Sequence, residues 1–362
     1  MRRLRLGTIA NLCKSPLGNQ KWRAFTSGEV LQNRKDVGLL GVPFCGGQPR
    51  DGVEFGPQAL REAGIKERIE GLQRSVHDYG DIDVDALEGD MDEVVYFRGT
   101  NIKRPTICGN VSRKIAEVVQ QGCMDDRIMV TMGGDHSIAT GSVFGHQQAR
   151  GNICLLWIDA HNDLNTYETT GSGNLHGMSL AFLVNGLPDH SQLPGYEWTK
   201  PCLNPFDIAY IGLRDTDPGE HLYTHDLGIM TFSMHEIDRY GIATVVERAI
   251  ESINPKLDRP IHISYDIDAL DPSISPSTGT SVMGGLTIRE GLYIGEYVNK
   301  LGLLGAMDIV EVNPTLAGGG ENASMTTEAA IRLTEGCLGK HRSGYITHRS
   351  FEYAFDPSKN KN

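Results

Sequence analysis

From Asp36 onward the apolar residues fall in short runs, at 37–42, 76–79, 128–132, 153–158, 208–213, 229–232, 261–265 and 304–310. A continuous apolar run of this length, without alternation, describes a strand covered on both faces. Between the runs, apolar residues return at helical spacing over 57–63, 111–121, 138–149, 242–253, 288–301 and 326–338. Strands alternating with helices predict an α/β fold, a mostly parallel sheet with helices on both faces. No low-complexity linker breaks residues 36–340, so that span reads as one domain. Residues 83–103 are charged and weakly patterned, and predict a surface excursion.

The polar residues give this frame its chemistry. In an open α/β sheet, ligands bind beyond the carboxyl ends of the strands. There the third run ends on "MGGDH", with Asp135 and His136, and the fourth on "DAHND", with Asp159, His161 and Asp163. The fifth ends on "GLRDTDPGE", the seventh on "SYDIDALDP" with Asp266, Asp268 and Asp271, and the eighth on "DIVEVNP" with Glu311 and Asn313. One acidic loop is unremarkable. Acids and imidazoles delivered by several strands to one sheet edge predict a metal centre.

His136, Asp159, His161, Asp163, Asp266 and Asp268 are the candidate ligands. Four aspartates packed together repel strongly unless cations intervene, and two divalent ions match their charge. Carboxylates with two imidazoles and no thiolate suit Mn²⁺, although ligand type alone leaves Zn²⁺, Co²⁺ and Fe²⁺ open. A metal pair can share a water and bring its pKa towards neutrality. With no GxSxG elbow in the chain, hydrolysis by a metal-held nucleophile is the expected reaction.

Composition narrows the partners. A hydrophobic content of 39% in 362 residues is enough for a globular core, and no apolar stretch is long enough to span a bilayer. The formal charge of −12 disfavours nucleic acid and anionic membrane, and suits a small cationic or polar substrate. Seven scattered cysteines without a CxxC pair argue against a disulfide framework and for a reducing compartment. Residues 1–28 carry six basic residues and no acid, the composition of a mitochondrial transit peptide, with "RAFTS" as a candidate processing site. Its removal would take the formal charge from −12 to about −18. The expected location is the mitochondrial matrix.

"GGDHS", "DAHND", "SYDIDALDP" and "EVNP" together resemble the motifs of the ureohydrolases, the arginase/agmatinase family, with the likeness running from about Val37 to about Leu338. The resemblance implies a three-layer α/β/α sandwich around a central, mostly parallel eight-stranded sheet, in agreement with the eight runs, and two Mn²⁺ ions, one on His136, Asp159, Asp163 and Asp266, the other on Asp159, His161, Asp266 and Asp268. "NTYETTGSGNLHG" (165–177) and "GLRDTDPGEH" are similar to the arginase branch, nearest to its non-hepatic mitochondrial type. That implies L-arginine as substrate, with Asn165 and Ser172 on its α-carboxylate and Asp217 and Glu220 on its α-amino group. Glu311 would pair with the guanidinium, and Thr280 would sit on the metal side of the cleft. Asp163 would pass a proton to the departing amine and His176 would shuttle protons to bulk water, giving L-ornithine and urea. A homotrimer is implied as well, supported in the family by carboxyl-terminal segments, although the tail 341–362 aligns with nothing familiar.

Three other readings remain: an agmatinase or other guanidino-acid ureohydrolase, a zinc deacetylase, and a non-catalytic relative. Several residues have plainer expectations. Asp135 and Ser137 read as orienters or caps, Asp271 as a turn residue, Arg214 as a structural ion pair, Asn313 as an Asx turn and Arg50 as part of a Gly/Pro turn. Cys154 and Trp157 read as core, and His77, His146, His190 and His262 as surface or packing residues. Asn162, Tyr167, Glu168 and Met178 depart from the family pattern near the proposed site.

Overall fold

In the computed structural model, residues 36–342 are described. The basic segment 1–28 and the tail beyond residue 342 lie outside the described residues, so the transit-peptide and tail readings are not addressed by the fold. The strands are β1 (Val37–Val42), β2 (Val76–Asp81), β3 (Val94–Phe97), β4 (Thr100–Lys103), β5 (Ile128–Gly133), β6 (Cys154–Ile158), β7 (Ile208–Leu213), β8 (Met230–Ser233), β9 (Ile261–Asp266) and β10 (Leu304–Val310). The helices are α1 (Gly56–Glu62), α2 (Ile65–Glu70), α3 (Pro105–Met124), α4 (Ala139–Arg150), α5 (Pro218–Leu227), α6 (Met234–Tyr240), α7 (Ile242–Ile253), α8 (Ile288–Leu301) and α9 (Gly320–Leu338).

Eight strands form one sheet in the order β2-β1-β5-β10-β9-β6-β7-β8. Every neighbouring pair in it is parallel, so the expectation of a mostly parallel sheet becomes an entirely parallel one. The eight apolar runs of the sequence are these eight strands, with ends moved by a residue or two. Parallel strands need crossovers, and the intervening helices supply them.

Alternation along each strand separates two cores. Val37 and Leu39 of β1, Val130 and Met132 of β5, and Ile261, Ile263 and Tyr265 of β9 face one side. They pack there on Leu60 of α1, Ile65 and Ile69 of α2, the Val245–Ile253 stripe of α7, Ile294 of α8 and Ile331 of α9. Leu40, Val42, Met129 and Val310 face the other side with Val111 and Ile115 of α3. Leu155, Trp157 and Tyr210 do the same with Val143 of α4. Each such side chain contributes roughly 1.5–3 kcal/mol when fully buried, which explains why apolar runs located the strands.

Residues 83–103 are more ordered than their charge suggests. They contain the antiparallel hairpin β3–β4, closed by Arg98 and Gly99, both at positive φ. Ile102 is buried in the second core, while Val94 and Tyr96 are exposed. The six described cysteines, including the buried Cys154, are free thiols.

The order of the strands decides where chemistry can sit. β5, β10, β9 and β6 are adjacent at the centre of the sheet, so the residues following them meet beyond one edge. β9 and β10 come late in the chain yet lie between β5 and β6.

Candidate metal centre

The turn after β6 is fixed by its own aspartate. Asp159 Oδ1 accepts the backbone N–H of His161 at 2.8 Å, and Trp157 Nε1 donates to Asp159 Oδ2 at 2.9 Å. The turn after β9 repeats the device, with Asp266 Oδ1 accepting the N–H of Asp268 at 2.8 Å. Asp163 adopts φ 49°, a left-handed conformation that only a few non-glycine residues tolerate. After β5, Asp135 caps the turn bearing His136 through the N–H of Ser137, and it also holds the N–H of Gly47 at 2.8 Å. The expectation that Asp135 orients and caps is met.

These turns bring all six expected ligands together. His136 Nδ1 lies 3.1 Å from Asp159 Oδ2, 3.1 Å from Asp163 Oδ2 and 3.2 Å from Asp266 Oδ2. His161 Nδ1 lies 3.4 Å from Asp159 Oδ1 and 3.2 Å from Asp268 Oδ2. His136, Asp159 and Asp163 form one group of ligand atoms within metal-holding distance, and Asp159, His161 and Asp268 form a second. Asp159 belongs to both.

His136 tests whether cations fit. Its Nδ1 is buried without a hydrogen bond of normal geometry, although three carboxylates surround it. Its Nε2 lies 2.9 Å from Ser264 Oγ, and the Ser264 hydroxyl donates to Asp308 Oδ2 at 3.2 Å. The serine proton is therefore committed to Asp308, and its oxygen accepts from Nε2–H. That tautomer leaves the Nδ1 lone pair aimed at the carboxylate cluster, as a metal-ligating imidazole requires. The oxygen-rich set with two imidazoles fits a divalent cation.

Proton affinities agree. Burial and the neighbouring carboxylates raise the pKa values of Asp163, Asp266 and Asp268. Asp159 goes the other way: burial opposes its charge, but the two imidazoles outweigh it. Burial also opposes charge on His136 and His161, yet their aspartate partners hold both well above the ordinary imidazole range. The metal-free centre thus carries protons where ligands need lone pairs. Metal loading near pH 7 should expel about two protons per chain, and affinity should fall as pH falls. Calorimetric titration of Mn²⁺ in buffers of different ionisation enthalpy measures the release, and a pH-independent affinity would contradict this account.

Residues that the sequence marks only as core or packing, or does not mark at all, support the centre. The Trp157 ring stacks on His136 with centroids 4.1 Å apart, besides anchoring Asp159. Asp308 Oδ2 accepts from Ser142 at 2.7 Å and from Ser264, and lies 2.9 Å from His262 Nε2. His262 Nδ1 in turn sits 3.3 Å from His146 Nδ1. Ser264, Asp308, His262 and His146 are thus a buried polar chain behind His136, and the two histidines are not plain packing. The available signal was a polar residue at alternate positions inside "HISYD" and "AMDIV".

Above the centre is an open cavity lined by His161, Asp163, Asn165, Thr170, Ser172, Asn174, His176, Gly177, Asp215, Asp217, Glu220, Asp266 and Thr280. His136, Asp159, Asp268 and Glu311 are not on its wall. Asn165 Nδ2 donates to Asp217 Oδ2 at 2.9 Å. Glu220 accepts the N–H of Leu164 at 2.9 Å and that of Asp217 at 3.0 Å, tying the start of α5 to the ligand turn. Burial is the main reason its pKa is pushed up to about 8. Ser172 is at the exposed rim, and Thr280 Oγ1 donates to Asp268 Oδ2 at 2.9 Å.

Glu311 is buried at φ 62°, with Oε1 accepting the His136 N–H at 2.9 Å and Oε2 accepting from Gln48 Nε2 at 2.9 Å. His176 Nδ1 lies 3.5 Å from its Oε1. Burial opposes charge on His176, but Glu311 and the nearby aspartates prevail and raise its pKa to about 8.

The plainer expectations divide. Asp271 does hold a turn, accepting from Ser273, Gly284 and Gly285, and Asn313 Oδ1 does accept the N–H of Thr315. Arg50 donates to the Gly279 carbonyl. Arg214 is not an ion pair: its guanidinium donates to the carbonyls of Gly212, Asp268, Ala269, Leu270 and Val282, cross-linking two turns at the cavity edge. His190 is buried, with its Nε2 accepting the N–H of Tyr167 at 3.2 Å. Of the unusual positions, Asn162 donates to Thr224 of α5, and Tyr167 bonds Arg98 of the hairpin at 3.0 Å. Glu168 accepts from Tyr223, and Met178 is buried in the core.

The chain was compared with known proteins. A family model described as the arginase family matches residues 35–339. The chain is 44% identical to arginase-1 of Bos taurus over 325 residues, covering 89% of this chain and 98% of that protein. It is 43% identical to the mitochondrial arginase-2 of Homo sapiens over 328 residues, 90% and 91% of the two chains. The likeness to the two types is equal within a point, so it does not favour the mitochondrial one. Among solved structures, the arginase of Bacillus caldovelox superposes with a TM-score of 0.76 at 35% identity, covering 85% of this chain and all of that one. The arginase of Entamoeba histolytica, in complex with L-ornithine, gives 0.73 at 29% identity, covering 84% and 99%.

Proposed function

The chain belongs to the arginase family, and from that premise we propose that it hydrolyses L-arginine to L-ornithine and urea with two Mn²⁺ ions per chain. The observation that carries the reading is a pair of ligand groups sharing Asp159 beside a cavity lined by both uncharged polar and acidic side chains. An α-amino acid presents a carboxylate and an ammonium side by side. Asn165, Thr170 and Ser172 offer uncharged donors to the first, while Asp217, with Glu220 behind it, offers a carboxylate to the second. Agmatine, without a carboxylate, would leave those uncharged donors unused.

His136, Asp159, Asp163 and Asp266 would hold one ion, and Asp159, His161, Asp266 and Asp268 the other. Bound there, two divalent cations lower the pKa of a shared water towards neutrality and act as Lewis acids. The oxygen-rich, thiolate-free donor set supports manganese. Thr280 steadies Asp268 through its hydroxyl. Asp163, at the cavity floor, is placed to pass a proton to the departing amine. His176, with its pKa near 8 and its ring on the cavity wall, exchanges protons with solvent. Glu311, next to the cavity-lining His176, would pair with the guanidinium. Holding both ends of the substrate makes the attack effectively unimolecular.

Location in the mitochondrial matrix rests on the composition of residues 1–28, and a homotrimer on family resemblance. Among the described residues no helix is long and apolar enough to cross a membrane.

Urea release from L-arginine and from agmatine, with Mn²⁺ added, tests the function. Strong preference for L-arginine is expected. Preference for agmatine would overturn the substrate assignment while leaving the metal chemistry intact.

A further inference from the structure

The cavity has a charge problem if its substrate bears a carboxylate. Five of its lining residues are acids (Asp163, Asp215, Asp217, Glu220 and Asp266), and none is lysine or arginine. Cations at the centre would neutralise the floor, but Asp215 and Asp217 belong to the loop that leads from β7 into α5. A carboxylate entering beside them is repelled unless a positive charge stands on the opposite side.

The hairpin β3–β4 brings a positive charge to within one side chain of the cavity. Lys103, the last residue of β4, donates from Nζ to Asn174 Oδ1 at 3.1 Å, and Asn174 lines the cavity. The lysine backbone is held from two directions. On one side it pairs with Val94 in the hairpin ladder. On the other its N–H donates to the carbonyl of Gly173 at 3.0 Å. Gly173 sits at φ 70°, and a Cβ there would collide with the Asn101 carbonyl, so β4 and the 172–174 loop approach as closely as backbones allow. Ser172 is in the same unit, its Oγ accepting the Asn174 N–H at 3.2 Å. Lys103 is half-buried. An ammonium has three N–H donors, and the Asn174 contact takes one.

We propose that Lys103 is a specificity-determining residue, whose ammonium at the rim offsets the acidic wall and favours substrates carrying a carboxylate beside Ser172 and Asn174. This rests on the reading above that the substrate is an amino acid with its carboxylate on that side. Tyr167 serves the same arrangement at a distance. Its ring packs edge-on against Phe97, its hydroxyl accepts from Arg98, and its carbonyl accepts from Thr100 at 2.7 Å, which fixes the hairpin to the substrate loop. Its departure from the family pattern thus has a structural reason in this chain.

The test uses the full-length Mn²⁺-loaded enzyme and its Lys103→Met and Lys103→Arg variants. KM for L-arginine is compared with the inhibition constant of L-argininamide, which keeps the ammonium and guanidinium but has no carboxylate. Lys103→Met should raise KM for L-arginine roughly three- to fivefold, the size expected of one partly exposed charge contact. It should leave the argininamide constant little changed, and Lys103→Arg should recover most of the loss. An unchanged KM overturns the proposal. So does an equal weakening of both ligands, which would make Lys103 only a brace for the loop. A wild-type enzyme that releases no urea from L-arginine overturns the underlying substrate reading instead.

Discussion

Replacing Asp159 by alanine should strip both metals from the protein and lower turnover by about four orders of magnitude, the loss expected when several kcal/mol of metal-supplied activation disappear. The size follows from position. Asp159 is fully buried, and its two oxygens face different histidines: Oδ2 lies 3.1 Å from His136 Nδ1 and Oδ1 lies 3.4 Å from His161 Nδ1. It is common to both ligand groups, whereas His161 belongs to one. His161→Ala should therefore release a single metal and retain measurable activity. Metal content after dialysis, read beside urea release, separates the two variants. Two ions retained by Asp159→Ala, or full turnover by His161→Ala with one ion, would refute a binuclear centre bridged at Asp159.

The second large effect is expected at Glu311. Glu311→Gln preserves shape but removes a charge that touches the His136 N–H, Gln48 and His176. Loss of a charged, paired recognition of the guanidinium should lower kcat/KM by about two to three orders of magnitude. A second readout separates this from simple disturbance. Glu311 is the leading partner that keeps the His176 pKa up at about 8. Without it burial prevails, the pKa falls, and the ring loses its proton at lower pH than in the parent protein. Titration of the His176 ring by NMR should show that downward shift in the metal-free protein. An unmoved titration would mean that Glu311 does not govern the histidine.

How much of this could be read from the sequence follows from where each residue's environment is encoded. The six inner strands of the sheet were legible because both their faces are buried, so each is written as an apolar run, whereas the edge strands β2 and β8 are largely exposed or half-buried and carry a weaker signal. The six ligands were legible because each follows such a run. The hairpin was not: β3 alternates between exposed and half-buried residues, and β4 is short and charged. Helices α5 and α6 were overlooked although "DPGE" and "SMHE" carry capping boxes at Asp217–Glu220 and Ser233–Glu236. In both, few apolar residues follow the cap, and the search relied on apolar spacing. Trp157, Ser264 and Asp308 were hidden for the opposite reason. They lie within buried strands, where a large ring reads as core and one polar residue reads as noise.

The strand order carries a consequence for how the protein is made. With β1 to β8 synthesised, the chain can pair β2-β1-β5 and β6-β7-β8, but the strands that join these two ribbons, β9 and β10, are still to come. Until then β5 and β6 are open apolar edges, the kind of surface on which nascent chains associate wrongly. Ligand residues 136–163 sit on separate ribbons, and Asp266, Asp268 and Glu311 have yet to emerge. Closing the gap joins the sheet and completes the ion-binding set in the same event, so a truncated or stalled chain has no route to even half a centre.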